Sequence, residues 1–349
     1  MPFFQATQEV ETGEAKAPLM LTRRFLAAVV PAALLLTASV FSFAAPAAGA
    51  KEAGQTPVSG RPMTMRAISP TEALPTGGQS ARFIPQTEPQ ASHSTMNTPL
   101  GVAVDTAGQI YVANLFGNNV TIYSKNLKLA GTISTGLNYP AAVGIGFGVG
   151  LGDTIYVANN AGNNITMYNS SLAQTGTITD STLENPYSMY VDANDDIWVL
   201  DASGTTHLYL DNGTPISSVN VGGTAVGPKG SNVAVWGIPY GNGIATYIGN
   251  VGLALHYGIG FQYAAGPTWQ AGAVAEDLTG LSYATDPATN QVVISRLGAG
   301  ESGSFTTPSE PYGIAVDPIN QRIYVSQPNL NEVLVYNLKS PYKLLGTIK

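Results

Sequence analysis

A chain of 349 residues with 11% charged side chains, 39 glycines, 23 prolines and no cysteine suits many short strands joined by tight turns, and argues against a helical protein. Its net charge of −7, with no cluster of Lys or Arg, excludes the basic stripe by which a nucleic-acid binder neutralises phosphates. Without cysteine there is no disulfide, thiolate metal site or cysteine nucleophile, so the folded part rests on its apolar core.

The first segment reads as a targeting signal. Arg23 and Arg24 precede an apolar run from Phe25 to Phe43, and the small residues Ala48 and Ala50 follow. That order is the positive, apolar and A-x-A pattern of a secretory signal peptide, with cleavage after Ala50. The apolar run nears the lower limit for spanning a bilayer, so a signal anchor through residues 25–45 is the alternative for region 1–50. Thr22-Arg-Arg-Phe-Leu26 also resembles a twin-arginine export signal without its usual spacer. Either route puts the functional part in a secreted, periplasmic or cell-surface location. Residues 51–97 follow as a Pro-rich linker with no apolar period, a composition that favours disorder. As a flexible coil it would span roughly 35–40 Å.

From residue 98 a repeat takes over. Gly101-Val-Ala-Val-Asp105 leads to Ile110-Tyr111-Val-Ala-Asn114, and near the other end Gly313-Ile-Ala-Val-Asp317 leads to Ile323-Tyr324-Val-Ser326. The aromatic recurs as Tyr111, Tyr156, Trp198, Tyr283 and Tyr324, with a blurred copy near Tyr247. The mean step is about 43 residues, the size of one four-stranded propeller blade. Each copy reads as an apolar strand, an Asp-x-x-Gly/Asn turn, a second strand, a Gly-Asn-Asn turn and a third strand. A fourth strand such as Leu129-Ala-Gly-Thr-Ile133 completes it. The predicted fold is all-β: a six-bladed propeller over 98–349, with blades near 98–138, 139–184, 185–226, 227–269, 270–309 and 310–349. The last copy holds four strands of its own, so the ring is expected to close by packing, without a strand borrowed from the N-terminal side.

The phrase Gly-Val-Ala-Val-Asp-x-x-Gly-x-Ile-Tyr-Val-Ala-Asn resembles the NHL-repeat class of β-propellers and, more distantly, streptogramin-lyase-like and gluconolactonase-like enzymes. The resemblance covers roughly 98–349. It implies the fold and leaves function open, because this class includes binding modules, lactonases and lyases. No catalytic motif of those enzymes maps onto this chain residue by residue.

Several places could carry chemistry. Asp105, Asp192, Glu276 and Asp317 each end a first strand, where an acid caps the following turn. Asp192, Asn194 and Asp196 share the Asp-x-Asn-x-Asp spacing that offers oxygens to Ca²⁺, but Ile197 and Ser203 stand where an EF-type loop needs Gly and Glu. Of the three histidines, His93 falls in the linker. His207 aligns with Val120, and His256 lies in the blurred copy; two propeller histidines fall short of a histidine-ligated zinc site. Asn119, Asn164, Asn169 and Asn212 begin glycosylation sequons that are also turn sequences. The fourth copy departs most from the pattern. Its Val233-Ala-Val235 reads as strand one, Trp236 stands in the place of the turn Asp, and no charged residue occurs from Ser231 to Ala275. The aromatic and imidazole side chains there (Trp236, Tyr240, His256, Tyr257 and Trp269) are the candidate ligand-binding set.

The expectation is an exported, non-catalytic propeller scaffold that binds a protein, glycan or small ligand and needs no cofactor. Its one expected membrane contact is an uncleaved leader. The alternatives are Ca²⁺ at the acidic cluster and a hydrolase or lyase, in one form divalent-metal-dependent, at the mouth of the axial channel.

Overall fold

The computed structural model describes residues 95–147, 153–220, 222–229, 232–238, 243–248, 260–265, 271–296 and 300–349. The leader and the linker as far as residue 94 lie outside them. The described strands form six four-stranded antiparallel sheets, in each of which the spatial order follows the chain. The first sheet comprises β1 (Pro99–Val104), β2 (Ile110–Asn114), β3 (Asn119–Tyr123) and β4 (Leu129–Ile133). The second comprises β5 (Pro140–Gly146), β6 (Thr154–Asn159), β7 (Asn164–Tyr168) and β8 (Gln174–Thr179). The third has β9 (Ser188–Val191), β10 (Ile197–Leu200), β11 (Thr205–Tyr209) and β12 (Pro215–Asn220). In the fourth are β13 (Ala225–Lys229), β14 (Asn232–Ile238), β15 (Gly243–Ile248) and β16 (Gly260–Ala265). The fifth holds β17 (Val274–Glu276), β18 (Leu281–Asp286), β19 (Gln291–Arg296) and β20 (Gly300–Thr306). The sixth holds β21 (Ile314–Asp317), β22 (Arg322–Gln327), β23 (Glu332–Asn337) and β24 (Leu344–Ile348). The arrangement is a β-propeller. Five sheets are described with most of their side chains; in the fourth, side chains are described only for Ala225–Pro228 and Val233.

Burial follows position within a sheet. Second strands are the core: every residue of β2 is buried, whereas β4 is mostly exposed. First strands vary, from β1, which is buried in part, to β5, every residue of which is buried. The side chains between sheets form apolar clusters. One joins Val102, Ile110 and Tyr123 of the first sheet to Tyr324, Val333 and Ile348 of the sixth, and includes Met96. Residues 95–97, read from sequence as linker, therefore belong to the folded part: Met96 is buried there, and the Thr95 hydroxyl donates to the Lys349 carbonyl at 3.0 Å.

The glycine that opens the repeated phrase marks where neighbouring first strands come closest. A Cβ added at Gly101 would lie 2.7 Å from Ala142 Cα, and one at Gly313 would lie 2.0 Å from the Leu100 carbonyl oxygen. Neither approach leaves room for a side chain. The asparagines of the second turn have a different task. Asn118, Asn163 and Asn331 all adopt the left-handed region, as do Tyr139, Asn185 and Thr98 at the entry to the following sheet. Each entry N–H donates to the paired asparagine Oδ1: Tyr139 to Asn118 at 2.9 Å, Asn185 to Asn163 at 2.8 Å and Thr98 to Asn331 at 2.8 Å. The joint between the sixth and first sheets thus uses the same clasp as joints within the chain. Among the described residues no strand crosses it.

Two sequence readings are corrected. In the fourth sheet the first strand is Ala225–Lys229, and Val233-Ala-Val235 lies in the second strand, with Trp236 facing Ala225 across the ladder. Trp236 therefore does not occupy a turn-acid position. An apolar Val-Ala-Val triplet fits a first or a second strand, and Ala225-Val-Gly-Pro-Lys229 lacks the pattern that would have identified it. In the fifth sheet Glu276 is the last strand residue, paired with Ser282, while the turn cap is Asp277.

Replacing Asn331 by Ala leaves the buried Thr98 N–H without its acceptor, and the expected cost is about 1–3 kcal/mol of unfolding free energy in urea titrations. Gly313→Ala is expected to cost at least about 1–3 kcal/mol by the same measurement, since the carbonyl it would strike belongs to the neighbouring backbone.

Candidate functional site

The first strands surround an axial channel. Their inward edges are unpaired within the sheets, so peptide groups as well as side chains face it. Gly101, Ala142, Ser188, Val226, Ala273 and Gly313 contribute to its wall, one from in or beside each first strand. The cavity is about 80 Å³, room for a few waters or a ligand of a few heavy atoms. None of the residues in its wall carries a charge. Tyr187 and Tyr312, at the starts of their strands, pack with Phe116 against Leu100, Leu115 and Ala141. The Tyr187 hydroxyl donates to the Gly223 carbonyl at 2.9 Å. Burial pushes up the pKa of both phenols, that of Tyr312 to about 12 with a contribution from Glu310, and that of Tyr187 further with one from Asp201. Both therefore remain neutral donors at ordinary pH.

The repeated acids sit at the far ends of the first strands, and their oxygens are engaged locally. Asp105 Oδ1 accepts the N–H groups of Ala107 and Gln109, and its Oδ2 accepts the Tyr111 hydroxyl at 3.1 Å. Asp277 repeats this with Thr279, Leu281 and Tyr283. Asp192 does so with Asn194, Asp196 and the Trp198 Nε1–H, the last at 2.9 Å. In these three sheets the aromatic six residues on is thus the partner of the turn acid, whereas the Tyr156 hydroxyl donates to the Asp211 carbonyl and Asp317 accepts from Ile319 and Asn320. Of the proposed cation ligands, Asp192 and Asp196 are buried and Asn194 is exposed. Among the described residues no three acidic or histidine side chains converge as a metal site requires. Asp153 has its pKa raised by burial and by the neighbouring charges of Asp105 and Asp195.

A buried polar group in the third sheet was not visible as such in the sequence. His207 is 1% exposed, and its Nε2 lies 2.9 Å from Asp201 Oδ2. Its Nδ1 lies 3.9 Å from Asp180 Oδ2, which also accepts the Tyr209 hydroxyl at 3.0 Å. Asp201 further accepts the Glu184 N–H and the Ser203 hydroxyl. Burial opposes ionisation of Asp180 and Asp201. The hydrogen bonds from Thr182 and Tyr209 to the first, and from His207, Ser203 and Glu184 to the second, outweigh it and lower both pKa values. Both imidazole nitrogens are turned toward carboxylates: the ring is hydrogen-bonded to the turn before β11 and lies beside the carboxylate of the connection before β9. The alignment of His207 with Val120 is corrected. Asn114 reaches Thr121 seven residues on, whereas Asp201 reaches His207 after six. The third sheet's turn is one residue shorter, which puts His207 in the place of Thr121. The only sequence signal was an acid six residues before a ring donor, the spacing that also links Asp105 to Tyr111.

Of the predicted ligand-binding residues, Trp236 lies on β14, and Tyr240, His256, Tyr257 and Trp269 lie outside the described residues.

No family model and no curated protein matches the chain. Solved structures do. Virginiamycin B lyase from Staphylococcus aureus superposes with a TM-score of 0.51 at 13% identity, covering 72% of this chain and 83% of the lyase. A streptogramin B lyase structure gives 0.52 at 14% identity, with coverage of 72% and 83%. Hydrazine synthase from Kuenenia stuttgartiensis gives 0.52 at 13%, covering 74% and 89%. At such identities the likeness shows the fold: a β-propeller distantly like streptogramin B lyase.

The turn acids supply a test by pH. The hydrogen bonds from Thr279, Leu281 and Tyr283 outweigh burial and lower the Asp277 pKa. Its contribution is therefore present above the unfolded value, about 4, and is lost as pH falls through the lower folded value. Urea unfolding should show Asp277→Asn less stable than wild type by about 1 kcal/mol at neutral pH, the difference between hydrogen bonds to a charged and to a neutral acceptor. That gap should close below about pH 4.

Proposed function

We propose that this chain is an exported, non-catalytic β-propeller of six blades, closed into one ring, that holds a small uncharged ligand in its axial channel. The observation that carries this reading is the channel wall. Apolar side chains, the bare peptide groups of Gly101 and Gly313 and neutral hydroxyls meet there from all six first strands. Such a wall desolvates little on receiving a neutral molecule with both apolar and hydrogen-bonding parts, whereas a charged ligand would lose hydration without gaining a counter-charge. Export rests on Arg23-Arg24, the apolar run and the Ala48-Gly-Ala50 site. The count of six rests on the six sheets and on the sixth joint, where Asn331 holds Thr98 and the Ser326 hydroxyl donates to the Leu100 carbonyl at 2.7 Å. No cofactor enters the reading.

The aromatic set of the fourth sheet (Trp236, Tyr240, His256, Tyr257 and Trp269) is the second surface proposed for ligand contact, on the strength of its uncharged, aromatic composition.

A thermal-shift screen of small neutral alcohols, amides and cyclic ethers is expected to raise the melting temperature, since a ligand specific to the folded state stabilises by mass action. Ala273→Leu fills the channel and should abolish those shifts. Undiminished shifts in that variant would remove the channel from consideration. The double variant Trp236→Ala, Trp269→Ala should leave channel binding intact and weaken binding of larger glycans.

A further inference from the structure

The outer strands carry a pattern of their own. In five sheets the fourth strand is bulged against the third, the register slipping at Ile122/Tyr123, Met167/Tyr168, Leu208/Tyr209, Ile294/Ser295 and Val335/Tyr336. A bulge bends the strand and interrupts the row of free peptide groups on which another chain could add. Charges and proline reinforce it: Lys128 precedes β4, Asp180 follows β8, Pro215 opens β12, Glu301 lies in β20, and Lys343 and Lys349 flank β24.

β16 has none of these devices. Its six residues pair with β15 in unbroken register, from Ile248 opposite Gly260 to Gly243 opposite Ala265. Among the described strands it pairs with β15 alone. Gly-Phe-Gln-Tyr-Ala-Ala contains neither charge nor proline, and no Lys, Arg, Asp or Glu occurs from Ser231 to Ala275. The sheet whose sequence departs most from the repeat is thus also the one whose fourth strand, among the described residues, is regular and free of these devices.

We propose that β16 is the edge through which two copies of this chain join, each β16 pairing antiparallel with the other across a two-fold axis. A regular strand is complementary to itself in that arrangement, its row of N–H and C=O groups meeting an identical row in reverse. That self-complementarity favours a second copy as the occupant, and the absence of charge permits it. Two chains of net charge −7 repel, and this stretch lets them approach without placing like charges side by side.

Sedimentation equilibrium of the full chain over a wide concentration range tests this. The wild type is expected to rise from the single-chain mass to twice that mass. Gln262→Lys with Ala264→Lys puts like charges on one face of each edge and should hold the mass at one chain throughout. Should that variant fail to fold, hydrogen exchange on the wild type decides: amides of 260–265 should slow with rising concentration while those of β24 do not. A wild-type chain that stays at single mass overturns the proposal, as does a dimer that the two lysines leave intact or whose 260–265 amides gain no protection.

Discussion

The architecture depends on one hydrogen bond repeated at three joints, the ring seam among them: an asparagine Oδ1, held in a left-handed turn, accepting the N–H of the residue that enters the following sheet. Both residues sit in a backbone region that costs most side chains energy, and the bond they make is the return on that cost. At the entries to the second, third and first sheets it fixes where the first strand begins, and so sets how close neighbouring first strands lie there. With that spacing established, Gly101 and Gly313 have no alternative, because the backbone of the neighbouring first strand lies closer than a Cβ allows. The channel wall then consists largely of what remains when side chains are excluded: peptide groups, small apolar residues and hydroxyls.

Much of this is legible in the amino-acid sequence. The phrase ending in Asp105 and Tyr111 signals strand, capped turn and strand, and the fold joins that acid to that phenol directly. Three features resisted. The clasp pairs a side chain with a backbone N–H some twenty residues further on or, at the seam, near the other end of the fold, and a backbone group can be supplied by any residue, so Tyr139, Asn185 and Thr98 share no side-chain signature. The first strand of the fourth sheet was hidden because Gly227 and Pro228 interrupt its apolar run, which moved the apparent start of that copy to β14. His207 was displaced by a single residue for a similar reason: a fixed offset carried through a turn that had shortened.

The candidate site was legible only as an exclusion. Composition removed nucleic acid and cysteine chemistry, and the scattered histidines argued against zinc. The channel itself could not be read, because it is formed by three-residue segments from six distant parts of the chain. Their side chains (Gly, Ala, Val, Ser) look the same in a core as around a ligand. The aromatic stretch from Trp236 to Trp269 stood out by contrast. What the structure adds there is the backbone of its last strand, whose unbroken register gives an unusual composition a physical correlate.

The clasps differ in one respect that their geometry conceals. Asn118 and Asn163 hold residues 21 and 22 positions away, while Asn331 holds one 233 positions away. Identical bonds therefore close loops of very different length, and chain entropy makes the long one dearer by about 2 kcal/mol. The seam between the sixth and first sheets is then the last contact to form during folding and the first to part on heating, carrying Met96 out of the core as it does. Exposure of that methionine, well before the second strands yield their amides, would be the earliest sign of the ring coming apart.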